Sequence, residues 1–184
     1  SVLLTIDYIH KKQIIYRDIK PENIMINDKG YPKIIDFGTV KEIKDRTTTI
    51  VGTPEYMAPE MVKGTGYSFQ VDIWAIGVLM YELFCGKVPF GEDKEDPLDV
   101  YQAVAKEELV FPSFVHDENF MSLIIKILKK NPTSRLWKYE QIREEPFFKN
   151  FKWDELISLS LPPPYELKLE EINVNEQKMV PYLT

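Results

Sequence analysis

Apolar residues recur at Val2, Leu3, Ile6 and Ile9, the spacing of one helical face, so the chain opens on a predicted helix reaching about Lys11. Ile14-Ile15 and Ile24-Met25-Ile26 are short apolar runs of strand length. They bracket the polar stretch Tyr16-Arg17-Asp18-Ile19-Lys20-Pro21-Glu22-Asn23 and predict two buried strands holding a charged loop between them. Lys33-Ile34-Ile35 follows the turn cluster Asn27-Asp28-Lys29-Gly30, which predicts a hairpin with the second of those strands. From 71 to 84 nearly every position is apolar over helical length, the mark of a buried helix; Gly86 offers its stop and Pro89 bars continuation. Pro97 can open an amphipathic helix through Val104, and residues 120–128 carry another with a broad apolar face. The pattern is mainly α with one small β-hairpin. After Leu161-Pro162-Pro163-Pro164-Tyr165 regular structure breaks and an acidic, weakly patterned tail follows.

Composition narrows this little: 184 residues, 44% hydrophobic and 28% charged, suit one globular unit with a sizeable core and exclude disorder of the whole chain. A net charge of -6 argues against a nucleic-acid or anionic-membrane partner and suits basic peptides. The single cysteine, Cys85, sits in an apolar run as a packing residue; it excludes an internal disulfide and predicts a reducing, cytoplasmic setting. The longest apolar run, 73–81, falls short of the ~20 residues that span a bilayer. The chain starts without Met, and its first lysines follow the apolar start, unlike a secretory leader, so it reads as the middle of a longer protein.

The candidate chemistry lies in the polar loop. Asp18 can accept a proton, Lys20 can neutralise phosphate charge, and Asn23 offers an oxygen suited to a hard divalent cation. Each alone could equally belong to a solvated turn with two ion pairs. The second stretch, Ile34-Ile35-Asp36-Phe37-Gly38, shifts that balance, because an acid there ends an apolar strand beside a flexible glycine. Phosphoryl transfer asks for a group that orients the nucleophile, cation-holding oxygens from separate segments and nearby positive charge, and Asp18, Asn23, Asp36 and Lys20 can supply them.

These residues resemble the eukaryotic protein kinases, through YRDIKPEN as catalytic loop, Asp36-Phe37-Gly38 as the metal-binding motif and Ala58-Pro59-Glu60 closing an activation segment. Tyr16 where most kinases carry His, together with Gly52-Thr53-Pro54-Glu55-Tyr56, is similar to the AGC group of Ser/Thr kinases, and within it to the cyclic-nucleotide-dependent kinases, particularly the cGMP-dependent ones. The resemblance implies the large, C-terminal lobe over 1–151 and the start of an AGC-type extension over 152–184. ATP and magnesium are the implied donor and cofactor.

By the same resemblance, Asp18, Lys20, Asn23 and Asp36 are catalytic, Asn23 and Asp36 hold the metal, and Met25 and Ile35 form the floor under adenine, unless they are plain core. Thr49 is the implied regulatory phosphosite, with Arg17 and Lys41 as its receivers. Thr53 would bridge Asp18 and Lys20 and favours Ser/Thr as acceptor. Ile50, Pro54 and Met57 would line a pocket for the residue after the acceptor. Glu22 and Glu82 stand where basophilic members hold an arginine before it. Asp72 would hold the catalytic-loop backbone from a helix start, and Glu60 would pair with Arg135 in the interior.

Three features depart from the pattern. No Phe-x-x-Phe motif stands near the end, no Gly-rich loop covers the phosphates, and no strand Lys with its partner Glu is present. The expectations that follow are an absent small lobe, supplied upstream in a longer chain that can also carry cyclic-nucleotide-binding domains, and a piece that does not turn over alone. A kinase-like scaffold without chemistry is the competing reading. The four intact polar residues weigh against it, since a scaffold has no physical need of them.

Overall fold

A computed structural model describes residues 1–163. Helix α1 (Val2–Lys11) buries Ile6 and Ile9, with His10 and Lys11 in its last turn. Strand β1 (Ile14–Ile15) then leads into the polar loop. Strands β2 (Ile24–Ile26) and β3 (Pro32–Ile34) pair antiparallel in the register Ile24↔Ile34, Met25↔Lys33 and Ile26↔Pro32. Asn27 builds their turn: its Oδ1 accepts from the amides of Lys29 at 3.0 Å and Tyr31 at 2.9 Å. The paired strand ends one residue short of the sequence expectation because the Ile35 amide donates instead to the Asn23 carbonyl, 2.9 Å away.

Two corrections concern the strands. β1 pairs with β4 (Lys41–Glu42), a segment whose charged, exposed residues give no apolar signal. The expected burial also fails for β2, where Met25 is 56% and Ile26 45% exposed. Met25 and Ile26, being successive, point to opposite faces of the hairpin, and among the described residues neither is covered.

The chain then turns through the short helix α2 (Pro59–Val62) into α3 (Gln70–Cys85), around which the interior is built. Ten of its first positions, from Val71 through Leu79 and again Tyr81, are buried. In its last turn only Cys85 is buried, with Leu83 and Phe84 exposed, so the expected all-round burial stops there. Gly86 adopts a left-handed φ of 75° and its amide closes the helix on the Glu82 carbonyl at 2.8 Å. Cys85 is buried, and burial pushes its thiol up.

Helix α4 (Pro97–Lys106) is capped by the Asp96 side chain on the Leu98 amide and buries Val100, Ala103 and Val104. Helix α5 (Glu118–Ile127), capped by Asp117, packs Phe120, Leu123, Ile124 and Ile127 against α3. α6 (Tyr139–Arg143) and α7 (Trp153–Ile157) frame an aromatic cluster of Tyr139, Phe148, Phe151 and Trp153. The Tyr31 hydroxyl lies 2.5 Å from the Leu161 carbonyl, joining the hairpin to the chain beyond α7. The expected tail from Pro164 and Tyr165 onward lies outside the described residues. No described helix is long and apolar enough to cross a membrane.

Candidate active site

Asp72 lies in the first turn of α3, where the helix dipole favours a carboxylate, and it is 1% exposed. Its Oδ2 accepts from the Tyr16 amide and its Oδ1 from the Arg17 amide, both at 2.8 Å. His10 Nε2, from the last turn of α1, stands 2.7 Å from the same Oδ2. One buried carboxylate therefore joins α1, α3 and the polar loop. His10 was not singled out in the sequence. Its signal was there: it follows Ile6 by four positions, a polar residue on the buried stripe of α1.

Inside the loop three side chains close on one another. The Thr53 hydroxyl donates to Asp18 Oδ1 at 3.0 Å and accepts from Lys20 Nζ at 2.8 Å, while Lys20 Nζ stands 3.4 Å from Asp18 Oδ2. Asn23, buried at the end of a 3-10 turn over Pro21–Asn23, donates its amide to the Asp18 carbonyl at 2.8 Å and to Asp18 Oδ2 at 2.9 Å. That leaves its own side-chain carbonyl oxygen for a cation. Because the Ile35 amide bonds Asn23, the next residue, Asp36, is delivered beside the loop.

Asp36 holds a left-handed φ of 59° and is exposed; its Oδ1 accepts from the Gly38 amide at 2.9 Å. Two oxygen donors from separate segments, one carboxylate and one amide, suit magnesium, which keeps waters and takes substrate phosphates as its other ligands. Tyr16 braces this side: its hydroxyl donates to the Ile35 carbonyl at 2.5 Å and its ring meets Phe37 edge-on at 5.7 Å. Burial first, then Asp18, Asp36 and Asp72, push the Tyr16 phenol up to about 12.

The remaining sequence candidates scatter around this centre. Lys41 Nζ donates to the Thr47 hydroxyl at 2.8 Å, and Thr49 is exposed, its hydroxyl 3.5 Å from that of Thr47. Arg17, at φ 75°, donates from Nε to the Thr39 carbonyl at 2.6 Å, and its Nη1 is buried without a partner. Neither cation touches Thr49 in this unmodified chain. Tyr56, which the sequence reading passed over, donates to Glu82, and burial ahead of the Glu82 contact raises its phenol pKa. Glu22 is exposed nearby, adding to that shift. Ile50 is exposed and Pro54 half-buried, but Met57 is 2% exposed, a core residue and not the open lining expected of it. Ile35 is half-buried and Met25 projects into solvent. Glu60 and Arg135 form a two-pronged buried pair.

A protein-family model described as "Protein kinase domain" matches residues 1–148. The chain belongs to the protein kinase family. It is 44% identical to the cGMP-dependent protein kinase of Plasmodium berghei (strain Anka) over 184 residues, 96% of this chain and 22% of that protein. It is 44% identical to the cGMP-dependent protein kinase of Toxoplasma gondii over 174 residues, 92% of this chain and 18% of that protein. A cAMP-dependent protein kinase catalytic subunit from Arthrobotrys oligospora is 38% identical over 169 residues, covering 90% of this chain and 32% of its own. The chain thus spans about a fifth of the cGMP-dependent relatives. Its mostly helical architecture with two small sheets is that of the kinase large lobe, and it is similar to kinases of the AGC group, the cGMP-dependent and cAMP-dependent ones among them.

Proposed function

We propose that this kinase lobe belongs to a Ser/Thr protein kinase that moves the γ-phosphoryl group of ATP to protein hydroxyls preceded by basic residues. The observation that carries the reading is the Thr53 hydroxyl held between Asp18 and Lys20. Asp18 is aimed by two donors, Thr53 and Asn23, and so is set to orient an incoming serine or threonine hydroxyl and to take its proton. The acceptor oxygen bonds the γ-phosphorus as the bond to the β-phosphate oxygen breaks, ADP leaves, and Lys20 offsets charge on the transferred group. Asn23 and Asp36 would hold magnesium, which supplies charge neutralisation at the phosphates.

Glu22 and Glu82 would receive arginines ahead of the acceptor, with Tyr56 fixing Glu82. Ile50 and Pro54 would meet the residue after it. Met25 and Ile35 would lie under adenine, a role that gives the exposed Met25 a cover. Phosphate on Thr49 would recruit Arg17, whose buried Nη1 lacks a partner, and Lys41, and so order the segment. We place this lobe at 1–151 and a C-terminal extension at 152–184, in a cytoplasmic, cyclic-nucleotide-regulated longer chain whose small lobe supplies the rest of the ATP site. Residues 1–184 alone would then not turn over.

The test is phosphate transfer from magnesium-ATP to an Arg-rich Ser peptide by the longest natural chain containing these residues, with and without cGMP or cAMP. Transfer that Asp18→Asn or Asp36→Ala abolishes supports the kinase reading, and stimulation by a cyclic nucleotide supports the regulation. No transfer by a folded, Thr49-phosphorylated long chain over varied peptides would leave the scaffold reading.

A further inference from the structure

The peptide unit joining Tyr16 to Arg17 is gripped on every polar atom. Asp72 takes the amides of both residues, and on the opposite side the Thr39 hydroxyl donates to the Tyr16 carbonyl at 2.9 Å. The Thr39 carbonyl in turn accepts Arg17 Nε at 2.6 Å. Thr39 therefore bonds residues 16 and 17 twice, once through side chain and once through backbone. It stands three positions after Asp36, and both Arg17 and Asp36 hold left-handed φ angles, 75° and 59°, that an L-residue keeps only where its surroundings enforce them. Gly52 closes the remaining side: a Cβ there would lie 2.6 Å from the Arg17 carbonyl oxygen.

With Nε fixed on Thr39, the rest of the Arg17 guanidinium is held in place, and its buried Nη1 is the atom without a partner. We infer that Thr39 is a positioning residue, a hydroxyl latch that ties the Asp36 segment to the Asp18 loop and presents Arg17 to a phosphate on Thr49. This rests on the kinase reading above. A phosphate drawing on Arg17 would pull, through Thr39, on the segment that carries Asp36, so the latch transmits Thr49 modification to the metal-holding acid. Without the hydroxyl the Tyr16 carbonyl loses its donor, and beyond Asp36 the segment keeps only the Arg17 Nε bond to the loop, with Ile35 still tied to Asn23 and Tyr16 before it.

The experiment uses the longest natural chain, in Thr49-phosphorylated and dephosphorylated forms, as wild type, Thr39→Val and Thr39→Ser. Thr39→Val matches the shape and removes the hydroxyl; Thr39→Ser keeps it. In the phosphorylated form Thr39→Val should lower kcat by roughly five- to tenfold with the peptide KM little moved. The loss should be smaller in the dephosphorylated form, so the gain from phosphorylation shrinks, and Thr39→Ser should restore most of it. Amide hydrogen exchange at residues 16–18 should quicken in Thr39→Val while α3 stays protected.

An unchanged kcat, an equal loss in Thr39→Val and Thr39→Ser, or an equal loss in both phosphorylation forms overturns the latch. So does loss of protection throughout α3 in both Thr39→Val and Thr39→Ala, which would make Thr39 a packing residue. If the wild type transfers no phosphate the kinase reading falls, and exchange at 16–18 still decides whether the hydroxyl holds the loop.

Discussion

The guanidinium of Arg135 meets both carboxylate oxygens of Glu60, Nη1 to Oε1 at 2.6 Å and Nη2 to Oε2 at 2.9 Å, with both residues buried. Arg135 also donates from Nε to the Lys129 carbonyl at 3.0 Å and lies 4.8 Å from the Trp74 ring centroid. The pair joins the end of the Ala58-Pro59-Glu60 turn to the chain after α5. Removing one charge strands the other. Arg135→Met should therefore cost about 3–5 kcal/mol, read from urea unfolding, whereas Glu60→Leu combined with Arg135→Met should recover much of that loss. If the single change costs under about 1 kcal/mol, the pair behaves as a surface one.

At Gly77 the end of α5 approaches α3 closely. A Cβ built there would sit 2.5 Å from Ile127 Cγ2 and 2.9 Å from Leu128 Cδ2. Alanine would favour the helix by about 1 kcal/mol over glycine, but the overlap forces α5 outward. We expect the contact to dominate, so that Gly77→Ala destabilises by about 1–3 kcal/mol. A stabilised Gly77→Ala in thermal unfolding would show that α5 yields freely.

How much of this was legible beforehand varies with the kind of signal. The polar loop could be read because reactive residue types crowd into it between apolar runs, and α3 because its apolar run has helical length. Asp72 as the holder of residues 16 and 17, and the Glu60–Arg135 pair, came through the family resemblance, since nothing in spacing joins positions 55 or 75 residues apart. β4 was hidden because Lys41 and Glu42 carry no apolar pattern. Met57 was misjudged because an apolar residue after a turn reads alike whether it lines a pocket or fills the core. His10 and Tyr56 act through one hydrogen bond each to a distant segment and Thr39 through two, and such bonds leave almost no trace in periodicity.

Lys130 carries the last prediction. Its Nζ donates to the Val104 carbonyl at 2.6 Å and lies 3.3 Å from the Phe90 ring centroid, with Trp74 at 5.5 Å. Burial lowers its pKa to about 8 from 10.5; Glu107 opposes that shift, and Lys63 and Arg135 add to it. The folded chain thus releases this proton earlier than the unfolded one. Between pH 8 and 10.5 the unfolded state binds more protons, so this group makes stability rise with pH across that window. Below it the cost of keeping the charge half-buried is fully present. In Lys130→Met that rise should disappear, and since tyrosines titrate alike in both proteins they cancel from the comparison. The stability difference between variant and wild type, measured by urea unfolding at pH 7 and at pH 10, should therefore favour the variant more at pH 7, with a slope difference of at most about one proton. Equal differences at the two pH values would mean that the aromatic faces and the Val104 carbonyl compensate the charge fully.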